Sequence, residues 1–332
     1  LGACARRHVL RCNEPMLESY VPARSYPGQP QVLPLADGPD YSPHGRSRSF
    51  RGATMSGIEW DEWKMVEALV RPSHTVLEFG ARYGTTSCAL AKATGNTGRV
   101  VAVEPDPAAQ SHLVANLRRN GCSVGVVRGT VGASSPLAFV PSWSYASYTR
   151  PAGPGEAAVP NFGLAALEAR LGARFDAVLL DCEGCIRAFF GGADGRALLA
   201  GEQLRLLLME EDGHPAQVKY HSWYARLGRH GFRRVWQSHD TYNHSWSRTL
   251  VHSAWARGPL APGSLTCREL AARDGLARHE LACMGLDSWS EPRQRWPCHR
   301  QGSPAPGAQP TPCPPGGVSP KHVGNRSWVR GW

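Results

Sequence analysis

The chain has 332 residues, of which 42% are hydrophobic, and a formal net charge of +10. That length suits one large domain or two small ones, and the apolar content is sufficient for a sizeable core. No apolar run is long enough to cross a bilayer, so no transmembrane helix is predicted, and the positive charge permits acidic partners but is explained as well by a solvated arginine-rich surface.

Composition divides the chain into three parts. Residues 1–52 hold scattered Pro, Gly, Ser and Arg without a sustained period, which predicts an irregular N-terminal extension. Residues 53–260 alternate between helical and strand patterns and are predicted to form the folded domain. Residues 261–332 are predicted to be a Pro/Gly-rich, largely disordered C-terminal extension, in which the pattern allows one amphipathic helix over residues 266–284.

Strand and helix patterns follow one another through the domain. A helical period covers residues 58–70 and ends at a proline; strands are then predicted at 75–79, 99–103 and 124–127, with helices at 85–93 and 107–120 between them. After a Pro/Gly/Ser-rich segment, helices are predicted at 164–171 and 220–230, and strands at 175–180, 204–209, 232–236 and 249–256. Short, continuously apolar strands between helices predict an α/β fold: a doubly wound, Rossmann-like, seven-stranded sheet covered on both faces.

The first strand of this pattern leads into an acid and a glycine turn, TVLEFGARYGTTS, which contains Glu78, Gly80 and Gly84. In open α/β sheets, ligands bind beyond the carboxyl ends of the strands, where glycine lets the backbone turn tightly and approach a ligand. Dinucleotide-binding enzymes usually carry G-x-G-x-x-G at this turn, whereas this chain has only two glycines, separated by Ala-Arg-Tyr. The spacing therefore favours another ligand.

The second predicted strand is followed by Glu104, so a second acid lies at the same edge of the sheet. A carboxylate there can accept two hydrogen bonds from a ribose diol, and Glu78 suits the amino group of a methionine-derived moiety. S-adenosylmethionine carries both groups and no phosphate. The sequence therefore predicts an S-adenosylmethionine site formed by Glu78, Gly80, Gly84 and Glu104, with Asp181 beside them.

Several stretches, in order, resemble FkbM-like S-adenosylmethionine-dependent methyltransferases. They are GIEWDEW (57–63), VLEFGARYGTTS, VVAVEPDPAAQSHLVANLRRNG (100–121), FDAVLLDCEGCIRAFFGG (175–192) and LRLLLMEEDG (204–213). The resemblance covers residues 57–236 and implies a methyltransferase fold. The chain departs from the family pattern at Leu180, where a lysine is usual, and at Ile186, where an acid is usual. These positions lie on the acceptor side, which leaves the identity of the substrate open.

Transfer of a methyl group to a hydroxyl requires a nearby proton acceptor, and the fourth strand delivers two candidates, Asp181 and Glu183. The structural alternative for Asp181 is the N-cap of the following helix. The fifth strand is followed by Glu210, Glu211, Asp212 and His214, which adds His214 as a third catalytic candidate.

The Cys and His residues give no metal motif. Cys182 and Cys185 form a lone C-x-x-C and are interpreted as small buried or half-buried thiols, since no second pair completes a zinc site. Six histidines between His214 and His252 lack metal-ligand spacing and are interpreted as loop and surface residues. No metal site is predicted.

The predicted function is O-methylation of a small-molecule or glycan acceptor with S-adenosylmethionine as cofactor. Three alternatives remain: a catalytically silent descendant that binds only the cofactor or a partner, a dinucleotide-dependent oxidoreductase, and a nucleic-acid methyltransferase, although no N-P-P-Y-type motif is present. No membrane partner is predicted, and the default expectation for the compartment is the cytoplasm.

Overall fold

The computed structural model describes residues 20–24, 60–141, 147–211, 218–239, 250–278 and 281–286. The strands are β1 (Tyr20–Val21), β2 (Val76–Phe79), β3 (Val100–Glu104), β4 (Val124–Arg128), β5 (Thr130–Val131), β6 (Leu137–Val140), β7 (Tyr148–Pro151), β8 (Asn161–Phe162), β9 (Ala177–Leu180), β10 (Leu206–Glu210), β11 (Phe232–His239), β12 (Val251–Arg257) and β13 (Ala282–Cys283). The helices are α1 (Trp60–Leu69), α2 (Thr85–Ala93), α3 (Pro107–Arg119), α4 (Leu164–Leu171), α5 (Ile186–Gly191), α6 (Ala193–Ala200), α7 (Tyr220–Arg229) and α8 (Cys267–Asp274).

Nine strands form the main sheet, in the order β1-β4-β3-β2-β9-β10-β12-β11-β13. The five strands from β4 to β10 are parallel, whereas β12 runs antiparallel between β10 and β11. Seven of the nine correspond to the predicted strands, which confirms the doubly wound α/β fold. The other two, β1 and β13, are two-residue strands added at the edges.

The direction of strand addition reverses between β2 and β9. The chain builds β2, β3 and β4 outward in one direction and then returns to place β9 on the other side of β2. In such sheets the crevice at this switch point, beyond the carboxyl ends of the strands, is the usual ligand site. The loops that follow β2, β3, β9 and β10 all open onto this edge.

Both faces of the sheet are covered, which explains why the strands are continuously apolar. On one face, Val76 and Leu179 pack against α1, α2, α3 and α8. On the other, Leu77 and Val178 pack against α4, α5, α6 and α7. Among the described helices, none has the length and apolar character that crossing a bilayer requires.

Helix α3 shows how local sequence sets these elements. Asp106 is its N-cap and accepts a hydrogen bond from the Ala108 amide at 2.9 Å, with Pro107 in the first turn. The helix ends at Asn120, and Gly121 then takes a positive φ of 64°. Both ends are where the sequence predicts them.

Ordered structure continues beyond residue 260, where the sequence predicted a tail to begin. Helix α8 starts with a capping box formed by Thr266 and Glu269. It packs through Leu270 into the core, and β13 then pairs with the end of β11. At the other end, β1 pairs with β4 although residues 1–52 were predicted to be irregular. The folded unit therefore includes residues from both predicted extensions.

The cysteines differ from the sequence interpretation. All six within the described ranges form disulfides, Cys88–Cys122, Cys182–Cys185 and Cys267–Cys283, with Cα–Cα distances of 5.3, 5.4 and 5.7 Å. These distances lie in the range that a disulfide requires. The interpretation of Cys182 and Cys185 as thiols is therefore wrong, because residues three apart at a tight turn approach closely enough to pair.

Candidate cofactor and acceptor site

The turn after β2 requires glycine at two positions. Gly80 has a φ of +86°, and a Cβ on it would lie 1.5 Å from the carbonyl oxygen of Asp181. Gly84 has a φ of +88°, and its Cβ would lie 2.8 Å from a methyl carbon of Leu113. The backbone of the turn is thus pressed between the loop after β9 and helix α3. Both glycines that the sequence singled out have a steric reason to be there.

Glu78 is buried within β2 rather than at its tip, since Phe79 is the last residue of the strand. One of its oxygens accepts a hydrogen bond from the Ser87 hydroxyl at 2.6 Å. Nearby, an oxygen of Glu62 accepts one from the Thr86 hydroxyl at 2.8 Å. Two buried carboxylates therefore lie against the first turn of α2, at the end of the helix that favours negative charge.

Glu104 is the last residue of β3 and joins two loops. One oxygen accepts from the backbone amide of Arg82 at 2.7 Å, and the other accepts from that of Asp106 at 2.6 Å. The side chain is buried, and this burial raises the pKa of Glu104 to about 7, although the two amide bonds act in the opposite direction. A carboxylate has about four acceptor positions, so two remain for a ligand.

Arg82 is a site residue that the sequence analysis passed over as part of the spacer between the glycines. Its φ is +44°, and its guanidinium pairs with Asp106 at 2.6 Å and lies 4.9 Å from the ring centre of Tyr83. It therefore links the glycine turn to the N-cap of α3. The available signal was an arginine in a turn that precedes an acid-rich strand end, Glu104-Pro-Asp106.

The register of the sheet aligns the polar residues of the site. Phe79 pairs with both Val103 and Leu180, so one step further Gly80 lies beside Glu104 and Asp181. Met209 pairs with Leu180, which brings Glu210 beside Asp181, and Glu210 itself pairs with His252. One row across the carboxyl edge thus carries the glycine turn and four titratable side chains.

Asp181 continues the strand pairing, because its amide donates to the carbonyl of Phe79 at 3.0 Å. Its side chain forms a hydrogen bond with Glu210, and burial raises its pKa above the usual range. It does not cap the next helix, since α5 begins after Cys185 at the N-cap. Glu183 lies in the same loop, half-buried, with a φ of +54°.

Glu210 and Glu211 point to different environments. Glu211 is buried and accepts hydrogen bonds from Ser253 at 2.6 Å and from the Tyr224 hydroxyl. Glu210 instead faces Asp181 and His252 and lines a shallow concavity with Cys182, Cys185, Ile186 and Tyr220. His214 and Asp212 lie outside the described residues.

His252 contradicts its interpretation as a loop or surface residue, because it is buried in β12. A strand between two neighbours can bury a polar side chain that the sequence pattern leaves exposed. No group of three or more potential metal ligands occurs in the part of the chain that the structure describes.

Solved structures with a similar fold are methyltransferases. Precorrin-6y C5,15-methyltransferase from Geobacter metallireducens is 12% identical, and the match covers 63% of this chain and 92% of that one, with a TM-score of 0.37. An O-methyltransferase from Bacillus cereus in complex with SAH is 16% identical, with 59% and 80% covered and a TM-score of 0.37. The O-methyltransferase TomG from Streptomyces achromogenes in complex with SAM is 16% identical, with 59% and 80% covered and a TM-score of 0.35.

No protein-family model matches the chain, and no curated protein matches its sequence. The resemblance to FkbM-like methyltransferases therefore stays a prediction. The strand order of the sheet itself carries the assignment to an α/β Rossmann-like fold.

Proposed function

We propose that the chain is an S-adenosylmethionine-dependent methyltransferase that acts on a hydroxyl of a small molecule or glycan. The observation that carries this proposal is the arrangement of acids around the glycine turn. Glu104 lies at the tip of the strand next to the turn, and Glu78 and Glu62 lie against the first turn of α2. These acids suit a ligand with a ribose and a cationic amino-acid tail.

The same acids argue against a dinucleotide. A pyrophosphate in a Rossmann-like fold sits at the N-terminus of the helix after the glycine turn. In this chain that position is already next to two buried carboxylates, Glu78 and Glu62, whose charge repels phosphate. An oxidoreductase that uses NAD is therefore the weaker hypothesis.

The chain's residues divide the work along the row at the carboxyl edge. Glu104 would hold the ribose hydroxyls, and the open backbone at Gly80 and Gly84 lets the cofactor approach the sheet. Bound there, S-adenosylmethionine supplies an electrophilic methyl group. Asp181 lies on the acceptor side of Gly80 and is the group we assign to remove the proton of the acceptor hydroxyl. Glu183 and His214 remain secondary candidates.

Calorimetry tests the cofactor assignment. The full chain should bind S-adenosylmethionine and not NAD, and Glu104→Ala should weaken that binding by roughly 2–4 kcal/mol because it removes a charge-assisted acceptor. Glu211→Gln is the matched control: it alters a buried carboxylate that is held by Ser253 and Tyr224 away from the turn, so it should leave affinity unchanged. Unchanged affinity in Glu104→Ala, with a native circular dichroism spectrum, would reject the site.

A catalytically silent cofactor-binding protein is the second candidate. Leu180 and Ile186, the two positions that depart from the family pattern, are buried in the core beneath the acceptor side and offer no polar group to a substrate. A screen of hydroxylated compounds with labelled cofactor separates the candidates. Transfer to any acceptor supports the enzyme, whereas tight cofactor binding with no transfer supports the silent protein.

A further inference from the structure

The acceptor half of the site contains a pair of carboxyl groups in direct contact. Asp181 follows β9 and Glu210 ends β10, and the two side chains are hydrogen-bonded to each other. Two carboxyl groups can share such a bond only when one of them carries a proton, because two carboxylates have acceptors and no donor. The contact therefore fixes one proton in the pair.

The surroundings of the pair indicate which group holds that proton. Burial raises the pKa of Asp181, while the hydrogen bond from Glu210 lowers it. A neighbour that lowers the pKa of a carboxyl group does so by donating to its ionised form. Glu210 is therefore the donor and Asp181 the carboxylate.

His252 lies on the far side of Glu210. Its Nε2 is 3.9 Å from Oε1 of Glu210, its Nδ1 is buried without a hydrogen-bond partner, and burial lowers its pKa to about 4. The imidazole is thus neutral near pH 7 and presents no cation that would ionise Glu210. From α7, the Tyr220 hydroxyl donates to the backbone carbonyl of Glu210 at 3.4 Å and leaves the carboxyl group to Asp181.

We propose that Glu210 is a positioning residue for methyl transfer: as a neutral carboxylic acid it donates a hydrogen bond that keeps the buried Asp181 ionised and aimed at the acceptor hydroxyl. This inference rests on the function proposed above. The acceptor oxygen forms its bond to the methyl carbon while the bond from that carbon to sulfur breaks, with its electron pair going to sulfur. The hydroxyl proton passes to Asp181 and then to solvent.

Two substitutions at one position separate the donor from the charge. Glu210→Gln keeps the shape and an N–H donor, so methyl transfer should stay within about threefold of the unmodified chain. Glu210→Leu removes the donor at similar volume, so kcat should fall on the order of 10²-fold while cofactor affinity stays constant. Glu211→Gln is the neighbouring control, with no expected effect on kcat, because Glu211 faces Ser253 and Tyr224.

An infrared measurement tests the same proposal without requiring activity. Difference spectra at neutral pH should show one protonated carboxyl band that is lost in both Glu210→Gln and Glu210→Leu and kept in Asp181→Asn. Protonated forms of other buried carboxyls cancel in the subtraction. This arm distinguishes a failure of the inference from a failure of the proposed function, since a silent cofactor-binding protein would still show the band.

Three results would overturn the proposal. One is full kcat in Glu210→Leu, another is an equal loss of kcat in both Glu210 variants, and the third is a carboxyl band that persists when Glu210 is replaced. A melting curve for each variant checks that it is folded; if Glu210→Leu does not fold, Glu210→Met takes its place as a donor-free variant.

Discussion

Gly80 joins the two halves of the site at the scale of a single residue. Its α-carbon lies so close to the carbonyl of Asp181 that a Cβ would overlap that oxygen at 1.5 Å. The cofactor turn and the acceptor loop are consequently in backbone contact. A side chain at this position has to displace one of the two loops.

Gly80→Ala should therefore destabilise the chain far more than its backbone angle alone would. The matched control is Gly172→Ala, because Gly172 also has a positive φ, +68°, but has open space around its α-carbon. The control should lose about 1–2 kcal/mol of unfolding free energy, the strain of a left-handed alanine. Gly80→Ala should lose at least twice as much or fail to fold. Denaturant unfolding of both variants measures the difference, and equal losses would contradict the close contact.

Glu210 and Glu211 show what the sequence could and could not reveal about single residues. The acid-rich strand end was visible, and Asp181, Glu78 and Glu104 were all predicted to lie near this edge. Which of two adjacent glutamates faces the site depends on strand alternation and on partners such as Tyr224, which is distant in sequence. A pattern of residue types does not contain that information.

At the scale of elements, the long periodic helices and strands were predicted nearly at their observed bounds. Helix α4 and the caps of α3 are examples, since a helical period and a capping residue are local signals. The hairpin of β6 and β7 was not predicted, because it lies in a stretch rich in Pro, Gly and Ser. Two-residue strands such as β13 have no period at all and exist only through pairing.

The disulfides are expected to contribute unequally. Cys88–Cys122 joins α2 to the end of α3 across a separation of 34 residues, whereas Cys182–Cys185 spans only three. The loss of loop entropy in the unfolded chain gives about 4 kcal/mol for the first and about 2 kcal/mol for the second. Paired serine variants of each bridge, compared by denaturant unfolding without reductant, test this order.

The shorter bridge should have the larger effect on transfer. Cys182 and Cys185 flank the loop after Asp181, so their serine variants should lower kcat with little change in cofactor affinity, while the Cys88/Cys122 variants should leave kcat unaltered. Equal kinetic effects would contradict this division. Disulfides persist mainly in oxidising compartments, so these bridges weigh against the cytoplasm as the default expectation.

For the whole molecule, two buried groups should make stability depend on pH in opposite directions. Glu104 has a folded pKa of about 7 and an ordinary value of 4.5, so the folded state binds more protons and stability falls as the pH rises between them. His252 has a folded pKa of about 4 and an ordinary value of 6.5, so stability rises over that range. Each shift corresponds to about 3 kcal/mol, and the two largely cancel.

Replacing either group should expose the other. Glu104→Gln should become more stable, relative to the unmodified chain, as the pH is raised from about 4.5 to about 6.5, and His252→Gln should become less stable over the same interval. Asp181 and Glu211 act in the same direction as Glu104, and His74 acts in the same direction as His252. Denaturant unfolding at the two pH values measures both slopes, and slopes of the same sign in the two variants would refute the assignment.

The reversed strand β12 bears on how such a protein can diverge. Because β12 runs against its neighbours, the connection from His239 to Val251 crosses the carboxyl edge beside the acceptor half of the site, as does the connection after Glu210. The glycine turn and Glu104 belong to the opposite half. Insertions or replacements in these two connections can change the compound that is recognised while the cofactor half is inherited intact, so new specificities can arise without rebuilding the sheet.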